Sequence, residues 1–204
     1  MKKTIFCVMG KSATGKTTLV KDLVDNLSFV NVKELISTTS RPVRSGEIDG
    51  VHYNFKSKEY FIENKDNFCE LISYNTVHGI WSYGIEKETI LNAPRFSIVI
   101  VTPKGCLKLK ESLPDYNIIP ILVHVADKER YNRLIERGDN SDEVKRRIKT
   151  DAKDFENVLD LSPIIFYNYN YSKTLKNMIN EISCEIFKNM SKQGETNDCK
   201  TESN

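Results

Sequence analysis

The 204-residue chain reads as an α/β protein, a three-layer sandwich built on a parallel sheet. Three observations predict this. The stretch Gly10-Lys11-Ser12-Ala13-Thr14-Gly15-Lys16-Thr17 lies between the apolar run Ile5-Phe6-Cys7-Val8-Met9 and a helical pattern. That is the strand–loop–helix order of a phosphate-binding loop. The runs at 96–101 and 118–125 are apolar almost throughout, as strands covered on both faces are. Helical patterns separate these runs, and strand–helix alternation gives a parallel sheet.

In chain order, Leu19, Val20, Leu23, Val24 and Leu27 put an apolar face on a first helix that breaks at Asn26 to Ser28. Residues 30–36 read as extended. Residues 37–50 are rich in Ser, Thr, Gly and Pro, with only Val43 and Ile48 to bury, and read as a loop. Residues 51–55 alternate as a strand does. Ser57 suits the N-cap of a short helix ending at Asn64, with Glu59 in its first turn. Strands are expected at 68–74 and 79–85, making 37–85 a β-rich insertion. The core resumes with a strand at 96–101, a helix at 105–113 and a strand at 118–125. A helix over 128–137 ends at Gly138, a C′ glycine. Ser141 then caps a long helix with Asp142 and Glu143 in its first turn. A strand at 164–167 precedes a last helix from Ser172, whose Leu175, Met178, Ile179, Ile182 and Ile186 share one face. The apolar content vanishes beyond residue 190, which predicts a disordered tail over 191–204. The expected organisation is one domain over 1–190. Its core is 1–36, 86–127 and 151–190, with the insertion at 37–85 and a second, arginine-rich one at 128–150.

Composition excludes several classes. Thirty Lys and Arg against 28 Asp and Glu leave a net charge of +2, too little for a general attraction to nucleic acid or a membrane surface. Five cysteines (Cys7, Cys69, Cys106, Cys184, Cys199) form no C-x-x-C pair, which argues against a disulfide framework or a zinc site and fits a reducing cytosol. The apolar run after Met1-Lys2-Lys3 is too short for a signal peptide or a membrane span. A cytoplasmic protein is expected.

The 10–17 motif implies specific chemistry. Glycines let the backbone curl so that N–H groups point at phosphate oxygens, and the following helix adds its positive end. Residues Gly10, Lys11, Ser12, Ala13, Thr14, Gly15, Lys16, Thr17 and Thr18 are therefore the expected nucleoside-triphosphate-binding set in a P-loop NTPase fold. Lys16 reaches the β- and γ-phosphates, and the Thr17 hydroxyl is the expected Mg²⁺ ligand.

A second constellation follows in the Pro- and Gly-containing loop. Arg41 and Arg44 are three residues apart, with Ser37 upstream and Tyr53 downstream. Two guanidinium forks on a rigid turn suit a phosphate, and Ser and Tyr hydroxyls add donors. The order Ser37-Thr38-Thr39-Ser40-Arg41-Pro42-Val43-Arg44-Ser45-Gly46-Glu47, continuing to Tyr53-Asn54-Phe55, closely resembles the GMP-binding segment of guanylate kinases. With the P-loop, the resemblance covers about residues 1–188, strongly before residue 60. It implies ATP-dependent phosphorylation of GMP, and with it dGMP, on a core with a GMP-binding insertion and a lid.

By that resemblance Ser37, Arg41, Arg44, Tyr53 and Tyr83 hold the acceptor's phosphate, Glu47 supports the loop, and Glu70 reads the guanine N1–H and N2–H₂ edge. The chemistry of Glu70 agrees independently, since two adjacent donors on guanine meet two carboxylate acceptors. Three residues depart from the family. Ile85 stands where a Ser or Thr contacts the base, and Ile100 and Thr102 stand where the family has acidic residues. His78 and Trp81 are further candidates for the base pocket, though a structural role suits each better.

The stretch Arg133-Leu134-Ile135-Glu136-Arg137-Gly138 resembles the family's lid, with Arg133 and Arg137 closing over the triphosphate. Of the neighbours Arg146 and Arg147, about 100° apart on a helix, one faces the phosphates and Arg147 is preferred. Arg130 and Lys145 read as solvated. The implied reaction is in-line transfer from MgATP, with Lys16, Arg44, Arg137 and Arg147 neutralising charge and no covalent intermediate. The alternatives are a nucleoside monophosphate kinase of different base specificity, supported by Ile85 and Thr102, and a non-catalytic module that binds a phosphorylated protein. The complete P-loop argues against the latter. Small-molecule nucleotides are the expected partners, in a monomer or homodimer.

Overall fold

The computed structural model describes residues 2–138 and 140–201, with side-chain surroundings as far as residue 191. The chain runs β1 (Thr4–Met9), α1 (Lys16–Asn26), β2 (Lys33–Glu34), β3 (Thr38–Thr39), β4 (Asn54–Phe55), α2 (Lys58–Glu63), β5 (Phe68–Thr76), β6 (Gly79–Glu86), α3 (Lys87–Leu91), β7 (Phe96–Ile100), α4 (Pro103–Ser112), β8 (Asn117–His124), α5 (Asp127–Glu136), α6 (Ser141–Asp154), β9 (Ile164–Tyr167) and α7 (Tyr171–Thr201).

Strands β2-β7-β1-β8-β9 form a five-stranded sheet, parallel throughout. All six residues of β1 are buried. Successive side chains of a strand point to opposite faces, so β1 feeds two cores. Ile5, Cys7 and Met9 pack with Ile90, Cys106, Leu109 and Phe155. Phe6 and Val8 pack with Leu19, Leu23 and Leu27 of α1 and with Met178, Ile182 and Ile186 of α7. Helices thus cover both faces, as the unbroken apolar runs predict.

Because β1 sits between β7 and β8, the strand order reverses around it, and a crevice opens at the carboxyl ends of these strands. Val8 pairs with Ile100 and Met9 with Leu122, so the 10–17 loop, Thr102 and the start of α5 leave the sheet at one level.

Strands β4-β3-β6-β5 form a second, four-stranded sheet, in which β5 and β6 are a long hairpin and β3 and β4 run parallel. Here the sequence reading needs correction. Residues 37–50 are not all loop, since Thr38 and Thr39 form a buried strand against β6. Their hydroxyls donate to Glu86 (2.6 Å) and to the Ser82 carbonyl (2.9 Å), which lets polar residues be buried. The expected strand over 51–55 shrinks to Asn54–Phe55. The Ile48 carbonyl accepts from the Val51 and His52 amides, winding the preceding residues into a turn.

Three helix ends also differ. Thr102, not a residue near 105, caps α4, accepting from the Gly105 amide at 3.0 Å with Pro103 in the first turn. Asn140 rather than Ser141 caps α6, accepting from the Asp142 and Glu143 amides. Helix α7 continues to Thr201, through most of the segment expected to be disordered. Adding residues to a docked helix costs far less than starting one. Residues 202–204 of that segment lie outside the described residues. Ser57 caps α2 as expected, accepting from the Tyr60 amide. Among the described residues no helix is long and apolar enough to cross a membrane.

Candidate active site

The loop between β1 and α1 curls through two left-handed residues, Ala13 (φ 61°) and Gly15 (φ 85°). At Gly10 a Cβ would fall 2.6 Å from the Val123 carbonyl oxygen, so only glycine passes there. The Lys16 ammonium folds back over the loop and donates to the carbonyls of Gly10 (2.6 Å) and Lys11 (3.0 Å). Burial lowers its pKa to about 8, opposed by Asp151 and assisted by Arg130 and Arg137. An ammonium so desolvated gains strongly from an arriving phosphate. Thr17 and Thr18 are exposed at the first turn of α1.

The loop is also gripped from behind. Arg130 Nη1 donates to the Ser12 carbonyl (3.1 Å), Arg133 Nη1 to that of Ala13 (3.4 Å) and Asn168 Nδ2 to that of Thr14 (2.9 Å). The Ser12 amide donates to Asp151 (2.8 Å). Arg130 was expected to be solvated; instead it is 0% exposed, paired with Asp127 and Asp151. On a charged helix its periodicity is that of an exposed face, and only docking against the loop buries it. Beside the loop a cavity of about 330 Å³ is lined by Gly15, Thr18, Arg133, Asn168, Tyr169 and Tyr171. Sequence reading missed Asn168, Tyr169 and Tyr171, whose one signal is a polar turn between strand and helix.

On the second sheet, Arg41 is buried, its two terminal nitrogens donating to both Glu47 oxygens (2.7 and 2.9 Å) and to the Pro42 carbonyl. Its guanidinium lies over the rings of Tyr53 and Phe55. Glu47 also accepts from the Arg44 amide (2.8 Å) and so ties the loop together. Arg44 is at the surface, its pKa lowered by desolvation and then by Arg147, Arg41 and Arg137. Tyr53 packs edge-on to Tyr83, and Tyr83 to Tyr74. Ser37, half-buried, accepts from the Asn54 amide through its carbonyl.

Glu70 is 6% exposed, and burial raises its carboxyl pKa to about 7 against the pull of Lys108. A Cβ at Gly105 would fall 2.9 Å from its Oε1. Ile85, across the hairpin from Glu70, is fully buried in the core. Tyr74 donates its hydroxyl to Asp154 (3.0 Å) and joins the hairpin to the end of α6. His78 stacks on buried Trp81 at the hairpin's far end.

On α6, Glu143 accepts from Arg146 (Nε and Nη2, both 2.8 Å) and from Arg147 Nε (2.9 Å). Those pairings pull its pKa down to about 2, the Arg146 bond foremost. One buried carboxylate thus anchors both arginines, with Arg147 beside Arg44.

A family model for guanylate kinase matches residues 2–185. The chain belongs to the guanylate kinase family. It is an enzyme that transfers a phosphoryl group from ATP to GMP. The guanylate kinase of Acinetobacter baylyi is 31% identical over 183 residues, 87% of this chain and 85% of that one. The guanylate kinase of Vibrio cholerae is 33% identical over 157 residues, 74% and 73% of the two chains. The crystal structure of guanylate kinase from Anaplasma phagocytophilum superposes with a TM-score of 0.63 at 17% identity, covering 90% of this chain and 86% of that one, a likeness of fold. The parallel sheet carries the 10–17 loop, and the smaller sheet carries the Arg41–Arg44 loop and Glu70.

Proposed function

We propose that Lys16, Arg44, Arg137 and Arg147 act on the transferring group. Gly10 to Thr18 and Arg133 hold ATP, and Ser37, Arg41, Arg44, Tyr53, Tyr83 and Glu70 hold GMP, with Glu47 bracing Arg41. The observation that carries this reading is the crowding of cations. Burial lowers the Arg44 pKa first, and Arg147, Arg41 and Arg137 lower it further; at Lys16, Arg137 adds to burial and Arg130. Like charges gathered from a loop, two helices and the P-loop are stabilised by anions between them.

The γ-phosphorus–oxygen bond to ADP breaks as a new bond forms to a GMP phosphate oxygen, already an anion near neutral pH. No strong base is needed, and catalysis is placement and charge neutralisation. Residues 128–150 act as a lid, 37–85 as the GMP-binding unit, and the rest of 1–190 as the core. Closure brings Arg137 towards the phosphates and excludes water.

The donor set suits magnesium that arrives with the triphosphate. Thr17 offers one exposed hydroxyl, and among the described residues no cluster of three acidic, His or Cys side chains could hold an ion. Mg²⁺ commonly takes few protein ligands and completes its shell with water and phosphate oxygens. When bound it neutralises charge on the β- and γ-phosphates. Glu70 sets the preference for guanine, and dGMP is accepted as well as GMP. The protein works in the cytoplasm, as a monomer or homodimer.

A coupled ADP-release assay with GMP, dGMP, AMP, CMP, UMP and dTMP in parallel tests the assignment. Turnover concentrated on GMP and dGMP is expected. Comparable rates with pyrimidine monophosphates would overturn the role given to Glu70.

A further inference from the structure

We propose that Arg130 and Asp151 are positioning residues that aim the phosphate-binding amides of the P-loop from its outer side. In a trans peptide the carbonyl and the next residue's N–H point in opposite directions, and no cis bond occurs among the described residues. Arg130 draws the Ser12 carbonyl outward at 3.1 Å, which turns the Ala13 N–H inward. Arg133 and Asn168 do the same at the Ala13 and Thr14 carbonyls, turning in the Thr14 and Gly15 amides.

Asp151 works on the preceding peptide with the opposite sense. It takes the Ser12 N–H at 2.8 Å, so the Lys11 carbonyl faces the other way. There that carbonyl accepts from Lys16 Nζ and from Thr14 Oγ1, both at 3.0 Å. One ion pair, Arg130 Nη1 to Asp151 Oδ2 at 2.8 Å, therefore sets two successive peptide planes.

The pair is built to be rigid. Arg130 is completely buried, and Asp127 holds its second terminal nitrogen, Nη2, at 3.0 Å. Arg130 belongs to α5 and Asp151 to α6, the helices that carry Arg133 and Arg147. The same contacts thus register the lid's roots to the donor loop. Amides already aimed at the phosphates cost nothing to reorganise when ATP arrives.

The inference rests on the reading of residues 10–18 as the ATP site, and the experiment separates the two. Calorimetric ADP binding is measured for the wild type and for Arg130→Met combined with Asp151→Leu. Replacing both members of a buried ion pair with apolar residues of similar size generally preserves stability. The double variant is expected to keep a cooperative melt. Its ADP Kd and its KM for ATP should rise about tenfold, as for loss of supporting contacts around a site, while the KM for GMP stays unchanged. A folded double variant whose ADP Kd lies within about twofold of wild type, or whose two KM values rise together, overturns the proposal. Should the double variant not fold, Arg130→Lys decides. It keeps the charge but cannot grip the Ser12 carbonyl, Asp151 and Asp127 together, so ADP should bind about threefold more weakly or worse. Unchanged ADP affinity there overturns the proposal equally. A wild type that fails to bind ADP removes the donor-site reading, and this proposal with it.

Discussion

Arg41 and Glu47 form a two-pronged pair, Nη2 to Oε1 at 2.7 Å and Nη1 to Oε2 at 2.9 Å, with the guanidinium nearly buried between Tyr53 and Phe55. The pair fixes the loop that presents Arg44, because Glu47 also accepts from the Arg44 amide. Glu47→Gln keeps the shape but loses the charge and one acceptor. The KM for GMP should rise about tenfold, the cost of a charged hydrogen bond, with the KM for ATP unchanged. Steady-state kinetics with each substrate varied in turn checks this. Equal rises in both would show that the loop does not act on the acceptor alone.

Lys16→Ala removes the ammonium that bridges the Gly10 and Lys11 carbonyls. Turnover should fall at least about a hundredfold, as for loss of one preorganised charge-stabilising donor. Its circular dichroism and melting profile should match those of the wild type. Near wild-type GMP-dependent ADP release would refute the role given to Lys16.

With Glu70 as the proposed reader of the guanine edge, GMP binding should depend on pH. Burial raises its pKa from 4.5 to about 7, so the folded protein holds this proton more tightly than the unfolded chain does. Ionising it therefore costs stability as pH rises from 4.5 towards 7, and the cost disappears at lower pH. Guanine's two donors need the ionised form, so the KM for GMP should rise as pH falls below about 7. The phosphate of GMP titrates near 6, so Glu70→Gln is the control. Its KM should be about 10- to 100-fold higher at pH 8, and the part of the pH dependence that belongs to Glu70 should vanish.

Glu143 has the opposite sign. Its folded pKa drops from 4.5 to about 2 through Arg146 and Arg147, so its stabilisation is complete above 4.5 and is lost as pH falls towards 2. A shift of that size corresponds to about 3 kcal/mol, which solvent access to the arginines cuts to roughly 1–2 kcal/mol. Urea denaturation should find Glu143→Gln less stable by that amount at pH 7 and nearly level with wild type close to pH 2. A constant difference across this range would contradict the assignment.

Much of the donor site was legible because it is local. Gly10, Gly15, Lys16 and Thr17 lie within eight residues, and apolar runs on either side state which is strand and which is helix. The guanidinium loop was legible from the order of Arg41, Arg44 and Glu47. Boundaries that depend on hydrogen bonds across the fold were not. Thr38 and Thr39 look like loop until β6 supplies partners for their hydroxyls.

The sequence by itself determined the parallel sheet, the 10–17 loop and the turn that carries Arg41 and Arg44, since periodicity and short motifs are properties of neighbouring residues. Tertiary structure alone decided which charges are buried. Arg130 and Asp151 sit on helices that read as solvated, 118 and 139 residues from the Ser12 backbone they grip. Glu143 reaches Arg146 and Arg147 three and four residues on along α6, a local pairing, but only the packing of α6 buries it. Tyr74 meets Asp154 across 80 residues. A charged side chain is buried when distant parts of the chain satisfy its hydrogen bonds, and no local pattern records where those parts will lie.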